Sequence, residues 1–169
     1  KALTADWRGR PLKRCEKETS APLLSTKLYI PPVRPECVSR PRLIERLSKG
    51  MTGELTLVSA PAGFGKTTLL SHWAQQSGFP VAWVSLDKGD NDPARFWAYF
   101  VAALDRLHRS VGESALAPLH SPQPPPMETV LTALINEIAA VPKGDREGRP
   151  YILVLDDYHV IDAKPVDNA

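Results

Sequence analysis

The chain is poor in several things, and each shortage narrows the field. Among 169 residues there are only two cysteines, Cys15 and Cys37, far apart and with no histidine near either. They read as free reduced thiols rather than as a disulfide framework or a zinc site. No apolar run approaches the ~18 residues that a membrane span needs. No leading apolar segment with a small-residue cleavage site is present either, so no secretory signal is visible. The expectation is a cytoplasmic protein. Charge of one sign is also lacking, with a formal net of +2. Residues 1–21 carry six basic groups (Lys1, Arg8, Arg10, Lys13, Arg14, Lys17) against three acidic ones (Asp6, Glu16, Glu18), which leaves −1 for the remainder. With no aromatic series among these bases, residues 1–25 read as a basic, disordered leader rather than a nucleic-acid or membrane contact. No internal repeat is present.

What remains is ordinary for one globular domain: 43% hydrophobic and 24% charged residues. That domain is placed at 26–169. Proline is abundant at 17 residues, but several of them cluster (Pro31-Pro32, then Pro118, Pro122 and Pro124–Pro126) and so mark connections. Residues 27–35 are not expected to be helical, because each proline biases its predecessor toward extended backbone. Leu43, Ile44 and Leu47 recur at helical spacing between Pro41 and Gly50. Leu55–Val58 reads as a buried strand, and a loop of small residues follows it. A helix is expected over Lys66–Ser77, a second strand over Val81–Leu86, and a helix capped by Asp92-Pro93 running to about His108. A further amphipathic helix spans Met127–Val141, and Tyr151–Leu155 is a continuous apolar strand ending in Asp156 and Asp157. Apolar strands alternating with amphipathic helices predict an α/β fold, a parallel sheet covered on both faces.

The chemistry concentrates in Ala60-Pro61-Ala62-Gly63-Phe64-Gly65-Lys66-Thr67-Thr68. The phosphate-loop pattern is Gly, four residues, then Gly-Lys-Ser/Thr; here Ala60 replaces the first Gly. The loop logic survives provided that Ala60 takes a negative φ. Gly63 and Gly65 let successive N–H groups curl inward as an anion nest, and the following helix aims its positive end at the same spot. Lys66 supplies a point charge for terminal phosphates, and Thr67 a hard hydroxyl oxygen for magnesium. Asp156, at the C-terminal end of a buried parallel strand, would also hold magnesium, directly or through water. Asp157 would orient or deprotonate an attacking water; the alternative is that it caps the next turn. His159 reads as a structural histidine rather than a γ-phosphate contact. The Asn-Lys-x-Asp loop and the Asp-x-x-Gly that accompany guanine specificity are absent, so ATP is preferred over GTP.

An ordered series of blocks then resembles a known family. Lys27-Leu28-Tyr29-Ile30-Pro31-Pro32 through Arg40-Pro41-Arg42-Leu43 comes first, followed by Ser59–Thr68 and Trp83-Val84-Ser85-Leu86-Asp87. Asp90-Asn91-Asp92-Pro93 with Phe96-Trp97, and Leu155-Asp156-Asp157-Tyr158-His159, complete it. Together they resemble the N-terminal ATPase module of the MalT-like branch of LuxR-family transcriptional regulators, signal-transduction (STAND-type) phosphate-loop ATPases. The resemblance covers about 24–162. It implies a nucleotide-controlled switch in which ADP holds a resting monomer, ATP plus an inducer permits self-association, and slow hydrolysis resets the system. It also implies that Val38 and Arg40 lie near the adenine, although Arg40 could equally be a surface residue paired with a neighbouring acid.

Members of that family continue into further domains, including a C-terminal helix-turn-helix, so this chain reads as an N-terminal fragment for which no DNA contact of its own is expected. The resemblance further implies an incomplete sheet. The sensor strand that lies between the phosphate-loop strand and the acidic strand would follow residue 169, which leaves a gap between them. Two competing readings are a small phosphate-loop kinase and a non-catalytic interaction remnant that binds no nucleotide.

Overall fold

The computed structural model describes residues 23–51, 53–108, 111, 125–142, 144–145 and 147–162. The leader (1–22), Cys15 and most of the central proline cluster lie outside the described residues. Among the described residues there are four α-helices: α1 (Pro41–Gly50), α2 (Lys66–Gln76), α3 (Pro93–Leu107) and α4 (Met127–Ala140). Two strands, β1 (Val81–Ser85) and β2 (Ile152–Asp156), pair in parallel with Val81 opposite Ile152 and Ser85 opposite Asp156. The pairing continues one step past the strands at each end, with Ile152 N–H donating to Pro80 O and Leu86 N–H to Asp156 O, both at 3.0 Å.

Local chemistry accounts for the element boundaries. Pro41 and Pro93 sit in the first turns of α1 and α3, where a missing N–H is no loss. Asp92 caps α3 by accepting the Arg95 N–H at 2.8 Å. Gly65, at φ +79°, occupies the N-cap of α2. Alternation along β1 then divides the core between the two faces of the sheet. Ala82, Val84 and Leu86 pack with Phe96, Tyr99 and Ala103 of α3, together with Leu28 and Ile161. Val81 and Ile152 pack on the other side with Leu47 of α1 and Trp73 and Ala74 of α2. A third cluster joins Val101 of α3 to Val130 and Leu134 of α4.

Two local expectations change. Residues 25–28 form a short 3-10 turn, Ser25–Leu28, because the prolines begin at Pro31 and leave these positions free. More consequential is the segment Leu55–Val58, which is not a strand. Leu55 and Leu57 are 87% and 86% exposed, while Val58 packs against the α1–α2 cluster. A strand needs a neighbour for its ladder, and β2 is paired with β1 alone. Among the described residues the phosphate-loop lead-in therefore runs unpaired. The described sheet is therefore incomplete beside this segment, consistent with a partial phosphate-loop fold.

Candidate phosphate-binding site

The loop between the unpaired segment and α2 has the backbone shape that its residues call for. Gly63 and Gly65 have φ of +80° and +79°, left-handed values that side chains resist. Phe64 N–H donates to Pro61 O at 3.4 Å and Leu69 N–H to Gly65 O at 2.9 Å, so the loop turns directly into the helix. Ala60 is not among the residues with positive φ. An alanine at the first position is thus accommodated, and the condition placed on the altered motif is met. Ala62 and Thr68 are exposed.

Lys66 is folded back onto its own loop, donating to Ala60 O at 2.9 Å and Pro61 O at 3.3 Å. The ammonium is thereby held over two carbonyls of the loop. Across the site, Thr67 Oγ1 donates to Asp156 Oδ1 at 3.1 Å. The first turn of α2 and the C-terminal end of β2 therefore meet through two hard oxygen groups. Arg40 Nη1 donates to Phe64 O at 3.2 Å, so its partner is the loop backbone and not a neighbouring acid. Val38 is 82% exposed, and Phe64 and Tyr158 also present much of their surface nearby in sequence to the loop and to Asp157.

Asp157 is the one non-glycine residue with positive φ among the described residues, at φ 57° and ψ 30°. It stands at the N-cap position of the Tyr158–Val160 turn, yet its side chain makes no capping hydrogen bond. The capping alternative accordingly lacks its defining contact. Aspartate is among the few non-glycine residues that adopt this conformation readily. His159 is exposed rather than packed, with Nδ1 3.7 Å from Asp157 Oδ1; the expected satisfied structural histidine is not what the fold contains.

Burial pushes the Asp156 carboxyl above the ordinary carboxylate range, opposed by the Thr67 hydrogen bond and reinforced by the neighbouring Asp157 charge. The folded form then holds the proton more tightly than the unfolded chain. This group's contribution to stability falls as pH rises from the ordinary value of 3.8 through its raised folded value, and the loss persists at neutral pH. Asp156→Asn, with no nucleotide or magnesium added, should therefore raise Tm by a few degrees at pH 7 and change it little below the ordinary carboxylate range. Thermal scans at the two pH values check this; a lower Tm for the variant at pH 7 would contradict it.

Residues outside the predicted set organise the same sheet edge. Lys27, only 7% exposed, donates from Nζ to Asp87 Oδ2 at 3.0 Å and also to Asp90 Oδ2. Asp90, fully buried, receives Arg95 Nε at 3.0 Å and the Asp87 N–H at 2.8 Å. Asn91 donates to Val160 O at 3.0 Å and accepts the Asp162 N–H at 2.8 Å, tying the turn after β2 to the turn after β1. The motif Asp90-Asn91-Asp92-Pro93 thus divides its labour among an ion cluster, a staple and a helix cap. No spacing rule in the sequence announces the partners.

Comparison with known proteins gives matches that agree with this geometry. Residues 42–167 match the AAA ATPase domain family. The HTH-type transcriptional regulator MalT of Cronobacter sakazakii is 37% identical over 139 residues, which is 82% of this chain and 15% of that protein. The HTH-type transcriptional regulator MalT of Klebsiella pneumoniae is 35% identical over 147 residues, 87% of this chain and 16% of that protein. The chain thus spans 15–16% of the length of the curated relatives it matches.

Proposed function

That the chain belongs to the AAA ATPase domain family is the premise from which we propose that it binds ATP or ADP and acts as the slowly hydrolysing switch module of a transcriptional regulator. The observation that carries the reading is the Thr67–Asp156 contact of 3.1 Å, set under a loop with two left-handed glycines and beside Lys66. Strand end, loop and helix start converge on one point, and each contributes the residue type that phosphate and a hard cation require.

In this reading the backbone N–H groups of residues 62–68 and the N-terminus of α2 cradle the phosphates. Lys66 leaves the carbonyls of Ala60 and Pro61 to meet the terminal phosphates. The donor set fits magnesium: a hydroxyl and a carboxylate, both oxygen, already adjacent. Bound there, the ion would neutralise charge developing on the phosphates. Asp157, exposed and carrying no capping bond, is free to orient a water toward the γ-phosphate. Val38 and Arg40 lie on the stretch that would flank the base, with Arg40 fixed against the loop.

Two HTH-type transcriptional regulators among the relatives support the wider role in transcription; nucleotide-controlled self-association, with DNA contacted by other parts of the protein, is the remainder of the proposal. No described helix is long and apolar enough to cross a membrane. The test is binding and turnover measured together. The chain should bind both nucleotides and hydrolyse ATP slowly. Asp157→Asn, which tolerates left-handed backbone as readily, should cut turnover by about a hundredfold while leaving affinity nearly unchanged. Failure to bind either nucleotide at millimolar concentration would sink the proposal.

A further inference from the structure

We infer that Lys27 is a positioning residue for the nucleotide site, anchoring the segment that carries Arg40 onto the phosphate loop. The inference deepens the nucleotide-binding reading above and rests on it.

The segment from Leu24 to Arg40 behaves as a strap. Its first end is fixed at several points. Leu24 N–H donates to Tyr99 Oη at 3.0 Å, and Arg106 donates to Leu28 O. Lys27 enters the cluster of Asp87 and Asp90, with its Nζ also 4.5 Å from the centre of the Tyr99 ring. Leu28 is buried with Ala82 and Val84 on one face of the sheet, whereas Ile30 packs with Leu47 and Trp73 on the other. The chain thus passes between faces beside β1. Pro31, Pro32 and Pro35 then stiffen the path, a turn closes with Cys37 N–H on Arg34 O at 3.0 Å, and Arg40 reaches Phe64 O.

An apolar residue would suffice to cover β1. Placing an ammonium there instead requires two carboxylates and a ring to compensate for the lost hydration, and the return is a strap fixed in one register. If the anchor is released, Arg40 is docked for a smaller fraction of the time, and apparent affinity falls by that fraction.

The experiment measures ADP affinity of the full chain by calorimetry, in the presence of magnesium. Lys27→Met should weaken binding about five- to tenfold, Lys27→Arg should retain most of it, and Arg40→Ala should weaken it by a similar factor. In the Arg40→Ala background Lys27→Met should add nothing, because both act through one contact. Should Lys27→Met fail to fold, the double change Pro31→Gly with Pro32→Gly loosens the strap without touching the buried ions, and it should weaken ADP by about threefold. Wild-type affinity in the anchor and hinge variants overturns the inference, as does a loss that persists undiminished without Arg40. If wild type itself binds no ADP, the nucleotide reading fails, and this inference with it.

Discussion

On the proposed nucleotide-binding reading, Lys66→Ala should remove most of the stabilisation expected from Mg-ATP. Ligand at about 100 times its dissociation constant adds roughly 2.7 kcal/mol to a protein that binds it only when folded. At roughly 2–4 °C per kcal/mol for a chain of this size, wild type should gain about 5–11 °C. A hydrogen bond from a charged donor is worth about 1.5–3 kcal/mol, so losing the ammonium weakens binding about 10- to 100-fold. The same nucleotide concentration then adds only about 0.4–1.4 kcal/mol. The unliganded variant should unfold close to wild type. What Lys66 gives up there is two bonds to loop carbonyls, at 2.9 and 3.3 Å, in a loop that is mostly exposed, and such surface losses are small. Scanning calorimetry of both proteins with and without Mg-ATP separates the cases. Equal shifts in the two would mean that nucleotide binds elsewhere. No shift in either would mean that the loop, though correctly shaped, is not a nucleotide site.

Why the loop could be read from residues alone, and its lead-in strand could not, is a matter of range. Gly63, Gly65, Lys66 and Thr67 carry their consequences locally: left-handed backbone at the glycines and a helix starting at Lys66. Pro93 after Asp92 starts α3 for equally local reasons. The run Leu55-Thr56-Leu57-Val58 has the composition of a buried strand, but burial is a property of what lies alongside. With β2 bonded, among the described residues, only to β1, two leucines of that run face solvent. The meeting of Thr67 with Asp156 spans 89 positions and was legible only because a strand end and a helix start are expected to share one sheet edge. Lys27 and Asp90, 63 apart, belong to no such rule. Charged residues are ordinarily solvated, so nothing in their spacing betrays a buried pair.

That buried pair makes Asp90 the position where a single substitution should do most damage to the fold. Its carboxylate, fully buried, accepts from Lys27 and Arg95 side chains and from the Asp87 N–H. Asp90→Ala strips all three donors of their acceptor at once and breaks the reciprocal cap with Asp87 that shapes the turn before α3. Lys27 keeps only the half-exposed Asp87, 3.0 Å away. Breaking a buried ion pair from one side typically removes about 3–5 kcal/mol, which here corresponds to a Tm lower by about 10 °C. Asp90→Asn keeps an acceptor for the Asp87 N–H and should fall between wild type and alanine. The informative variant is the double one. Lys27→Met with Asp90→Leu removes both charges and should recover most of the loss, because the larger part of the damage is an ammonium left without its counter-ion. Denaturant unfolding of wild type, Lys27→Met, Asp90→Leu and the double variant measures the coupling. Were the double variant as unstable as the two single losses added together, the cluster would owe its place to shape and not to charge. The strap would then be held by the packing of Leu28 and by its contacts with the Tyr99 hydroxyl and Arg106.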